Sequence, residues 1–135
     1  MILIFLLGSA YGQDKYLLVS VGGGFTGSAV VYKIYEGGVV LKGKGVGDIS
    51  YDESGKLRKG ATKKFFTKTR SLLSDNPEFD HPGNIYTSLI LFENGTEKKM
   101  TWGDAKTSAP ENATKLYEKI NGCLKKLTFT PELRK

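Results

Sequence analysis

The chain is 135 residues long, with 20 Lys and Arg against 14 Asp and Glu and a net charge of +6. That length is one domain's worth and enough for a real core, while a single Cys and a single His exclude a disulfide framework and a Cys/His metal set. The basic excess is scattered over lysines such as Lys42, Lys44, Lys63-Lys64, Lys98-Lys99 and Lys125-Lys126; it lacks the Arg-and-aromatic clustering of a nucleic-acid face, so no nucleic-acid partner is expected.

Met1 to Leu7 is an unbroken apolar run, followed by the small residues Gly8, Ser9 and Ala10. This reads as the hydrophobic and cleavage regions of a secretory signal peptide over residues 1–12, with a mature start at Gln13. The run is about half of the roughly 20 residues that a spanning helix needs, so no stable membrane anchor is expected. The expected location is periplasmic or secreted, with residues 13–135 as one domain.

Lys15 to Val21 is rich in β-formers and stops at Gly22-Gly23-Gly24. Residues 28–43 read as a hairpin: Ser28 to Tyr35 alternates Val30, Tyr32 and Ile34 against Val31, Lys33 and Tyr35, Glu36-Gly37-Gly38 is a turn signal, and Val39-Val40-Leu41 starts the return. Gly43, Gly45 and Gly47 make the end of that strand poor at packing and prone to a bulge. Asp48 to Lys59, with Asp52-Glu53-Ser54-Gly55, reads as a turn or exposed loop.

The first helix is expected from about Gly60 to Leu73, where Phe65, Phe66, Thr69, Leu72 and Leu73 share one face. Asn76-Pro77 and His81-Pro82-Gly83 break the helix that precedes them. Asn84 to Glu93 is apolar on both faces and reads as a central strand. Asn94-Gly95 then turns the chain into a partner strand, Thr96 to Trp102. Ser108-Ala109-Pro110-Glu111 reads as a capping box with a proline in the first turn. Leu116, Tyr117, Ile120, Cys123, Leu124 and Leu127 make the apolar stripe of a last helix, which places Cys123 as a small buried side chain. The fold class is α+β, an antiparallel sheet of four to five strands with two helices packed on one face.

Three segments combine loop character with unusual composition. In Gly22-Gly23-Gly24-Phe25-Thr26-Gly27 a phosphate loop would have to deliver the chain into a helix. Here a β-rich run follows, so a bulge or tight strand crossing is expected, with Phe25 either plugging the core or standing exposed as an anchor. Around Asp80-His81-Pro82-Gly83-Asn84, the only histidine adjoins a carboxylate, which makes a general base conceivable; a turn that positions Ile85 and Tyr86 is the plainer reading. Trp102-Gly103-Asp104 offers Trp102 either as packing or as a partner contact. The remaining carboxylates are spread over loops with no pair suited to acid/base work. No catalytic residue, metal or cofactor is expected.

With these residues in place, the order of elements over 15–127 resembles the emfourin family, small inhibitors of thermolysin-like metalloproteases whose first strand ends in a Gly-Gly-Phe-Ala-Gly type motif. The matching residues are Gly23, Gly24, Phe25, Thr26 and Gly27. The chain is also similar to a family of small exported bacterial proteins of unknown function that shares the elements at 22–27, 80–86 and 102–104. The resemblance implies an exported, non-enzymatic domain that binds another exported protein, with a metalloprotease as the partner. Gly23 to Gly27, Trp102 and the Gly43–Ser54 loop are then the candidate contacts. The alternative is a small-ligand or enzymatic pocket of Asp80, His81, Asn84, Trp102 and Asp104.

Overall fold

A computed structural model describes residues 15–131; the expected signal peptide lies outside the described residues. The elements are β1 (Tyr16–Gly23), β2 (Ala29–Tyr35), β3 (Val39–Gly45), β4 (Ser50–Lys56), α1 (Lys59–Asp75), β5 (Ile85–Glu93), β6 (Thr96–Trp102), α2 (Glu111–Lys125) and the two-residue β7 (Thr130–Pro131). The strands form one antiparallel sheet in the order β6-β5-β1-β2-β3-β4-β7. The α+β class stands, and the sheet is larger than the four to five strands expected.

The difference lies at β4 and β7. Asp52-Glu53-Ser54-Gly55 carries the composition of a turn, yet it pairs with β3, with a register shift between Lys42 and Gly43. Tertiary pairing outweighs a weak strand propensity here. Small residues make the fit possible: a Cβ on Gly43 would come within 2.8 Å of the Tyr51 ring, and one on Gly55 within 3.2 Å of the Phe129 ring. The long loop expected over Gly43–Ser54 therefore shrinks to the turn at residues 46–49.

Register explains the core. Leu17 and Val19 of β1 lie opposite Ile34 and Tyr32 on one side and Leu91 and Leu89 on the other, and Leu89 lies opposite Met100. These share one face of the sheet. They join a single buried cluster with Phe65, Phe66, Leu72 and Leu73 of α1 and Ala113, Leu116, Ile120 and Leu124 of α2. α1 presents Thr62, Phe65, Phe66, Thr69, Leu72 and Leu73 at helical spacing. It closes on Asn76, whose side-chain amide donates to the Leu72 carbonyl at 2.9 Å. Arg70 Nε reaches Glu93 Oε1 at 2.8 Å, linking α1 to β5, and this pairing raises the guanidinium pKa further.

α2 does not use the expected capping box. Pro110 is its N-cap, without a side-chain cap hydrogen bond, and Ala113 and Thr114 donate backbone N–H groups to the Pro110 carbonyl. Cys123 is half-buried rather than enclosed. Trp102 is 9 % exposed and meets Tyr117 edge-on, with ring centroids 6.2 Å apart. Burial pushes the Tyr117 hydroxyl pKa up, and that of Tyr51 likewise.

Candidate functional site at the loop end of the sheet

Pairing of Gly23 with Ile85, of Ala29 with Gly45 and of Thr87 with Trp102 puts four features at one end of the sheet. They are the β1–β2 loop, the β3–β4 turn, the entry to β5 and the exit from β6. The three segments singled out by composition thus converge, although they are far apart in sequence.

Backbone contacts lock them together. Gly24 N–H donates to the Asn84 carbonyl at 2.7 Å, and Gly23 N–H to the Ser28 carbonyl at 3.1 Å. Gly23 has φ +97°, and a Cβ there would collide with the Asn84 carbonyl oxygen, so only glycine suits the position. Gly103, at φ +145°, would collide in the same way with the Ile85 carbonyl oxygen, and Gly83 with that of Gly103. His81 N–H donates to the Thr101 carbonyl at 2.9 Å, and Asp104 N–H to the His81 carbonyl at 3.0 Å. The glycines therefore serve close chain crossings, and β1 delivers the loop into β2 rather than into a helix.

The side chains on this frame divide sharply. Phe25 is fully exposed at the loop tip, Val46 is 68 % exposed on the neighbouring turn, and Ile85 is 61 % exposed at the start of β5. With Val30 at 39 %, these are the exposed large hydrophobics among the described residues, and all sit at this end. At about 4.8 Å per strand, this end is roughly 15 Å wide from β5 to β3, and Ile85, Phe25 and Val46 stand along it as a ridge in that order, as the strand order requires. Thr26 is exposed beside Phe25 and shares a 3.1 Å hydrogen bond with Ser28. Trp102, expected as a possible contact, belongs to the core.

Asp80, His81, Asn84 and Asp104 do reach the same end. The His81 ring stands edge-on to Phe79, with centroids 4.7 Å apart, and the Asp104 carboxylate accepts the Lys106 N–H at 3.0 Å. No hydrogen bond joins the imidazole to a carboxylate among the described residues. Nor do three His, Cys, Asp or Glu side chains gather there as a metal set. Val46 falls within the Gly43–Ser54 loop expected as a contact, though it was not singled out there, and Ile85 was expected only as the start of a strand. The available signal was Val46 itself, a lone apolar residue between Gly45 and Gly47.

The chain matches no protein-family model and no curated protein sequence. No helix among the described residues is long and apolar enough to cross a membrane.

Proposed function

We propose that this is an exported, non-enzymatic domain that binds another protein through the loop end of its sheet, in the manner of a protease inhibitor of the emfourin type. The observation that carries the reading is the ridge of exposed Phe25, Val46 and Ile85, with the Phe25 loop braced against the entry to β5 by the Gly24–Asn84 backbone hydrogen bond. Exposed aromatic and aliphatic side chains cost solubility and are kept where they fill a partner's pocket. Bracing lowers the ordering cost of binding, which suits a loop that must occupy a cleft. Phe25 and Thr26 make the central contacts, and the turn at 46–49 flanks them.

A bilayer would suit exposed apolar tips too, but Asp48, Asp80 and Asp104 stand on the same loops. Those carboxylates oppose an anionic membrane surface, which favours a protein cleft. The test is titration of a thermolysin-like metalloprotease with the purified protein and with Phe25→Ala. The expected result is stoichiometric inhibition that weakens at least about tenfold on truncating the anchor. No inhibition by the wild-type protein overturns the protease as partner.

A further inference from the structure

The lysines that look scattered in sequence gather in the helix layer. α1 carries five basic residues against Asp75, and α2 carries three lysines against Glu111 and Glu118, a net +5 for the two helices. The rest of the described chain contributes only +1. Between the helices runs a groove of about 380 Å³, with Lys68 and Ser71 on the α1 side and Asn112, Lys115 and Lys119 on the α2 side. Leu72 and Leu116 form its floor.

Three lysines line one groove, and Lys115 and Lys119 stand at the i,i+4 spacing that is unfavourable for like charges. Lys115 is offset by Glu111, at 2.8 Å from its Nζ. Lys68 and Lys119 have no carboxylate within ion-pair distance among the described residues. We infer that this groove binds a phosphate-bearing anion. Lysines supply compact point charges that suit phosphate, whereas the planar fork of arginine would better match a carboxylate. The Ser71 hydroxyl and the Asn112 amide add neutral donors. Asn112 lies in the first turn of α2, so the groove is bordered by the N-terminal half of that helix. The inference is independent of the loop-end reading, because it uses neither its residues nor its partner.

The experiment has two probes and two variants. Inorganic phosphate is titrated into the protein while the amide signals of Ser71 and Asn112 are followed by NMR. Partition onto phosphatidylcholine vesicles with and without phosphatidylglycerol is measured in parallel. Removing the groove lysines together (Lys68→Gln, Lys115→Gln, Lys119→Gln) is compared with removing three others (Lys98→Gln, Lys99→Gln, Lys106→Gln). Binding of either probe is expected to fall on the order of 100-fold in the first variant, since each lysine near an anionic surface is worth about fivefold, and to change little in the second. Response to phosphate alone identifies a free anion as the source; response to the anionic vesicles identifies a lipid headgroup. The inference is overturned if neither probe engages the protein, or if both triple variants lose binding equally.

Discussion

Gly23 and Phe25 stand two residues apart and do opposite work. Gly23 serves stability, because its positive φ and the adjacent Asn84 carbonyl leave no room for a side chain. Gly23→Ala is expected to destabilise the domain by about 2 kcal/mol or more, read from chemical denaturation. Phe25 touches solvent, so Phe25→Ala should leave stability within about 0.5 kcal/mol of wild type; a larger loss would make it a packing residue. Thr69 is fully buried in α1, and its hydroxyl has no hydrogen-bond partner among the described residues. Thr69→Val keeps the shape and removes an unsatisfied polar atom, so a gain of about 1 kcal/mol is expected in the same assay. The glycine loop was legible in sequence because Gly-Gly-Gly has few other uses after a strand. Its partner Asn84 was not, since nothing in local composition announces which carbonyl a glycine must pass.

Elements with strong periodicity were legible: α1, β5, the Asn94-Gly95 turn and β6 all fall close to where hydrophobic spacing puts them. Asn94 takes φ +54° and Gly95 φ +72°, the turn geometry that this pair favours. β4 was illegible because, Tyr51 apart, its residues are weak strand formers, and pairing with β3 makes them extended. β7 is two residues long and leaves no periodic trace at all. The α2 start misled for a different reason, as Pro110 itself occupies the cap position and Ser108 lies outside it. At this scale the Arg70–Glu93 contact ties α1 to the β5–β6 hairpin. Arg70 is 45 % exposed in its side chain, so solvent screening limits its worth, and Arg70→Ala should cost less than about 1 kcal/mol in thermal unfolding.

In the whole molecule the two kinds of surface are separated: the exposed apolar side chains lie at one end of the sheet and the excess positive charge lies on the helix layer. The lysine grouping was not visible in the sequence, where the lysines are dispersed; the ridge was visible only in part, as the pairing of the Phe25 loop with the Gly43–Ser54 segment, without Ile85. Strand register and helix packing bring them together. High pH probes the fold as a unit. Tyr51 and Tyr117 hold their protons more tightly when folded, because burial disfavours the phenolate. The unfolded chain ionises first, near pH 10, so it binds fewer protons there and stability should fall as pH rises above that value. Tyr117→Phe should flatten part of that decline in a pH series of melting temperatures.

The central claim is that the apolar ridge is a docking surface distinct from the core. The most direct measurement is quantitative capture from the exported fraction of the source cells with two baits, the wild-type protein and Phe25→Ser/Val46→Ser/Ile85→Ser. The two should melt within about 3 °C of each other, and one stoichiometric partner should fall at least about tenfold with the triple variant. Equal recovery of the same proteins by both folded baits, or recovery of none by either, would contradict the account.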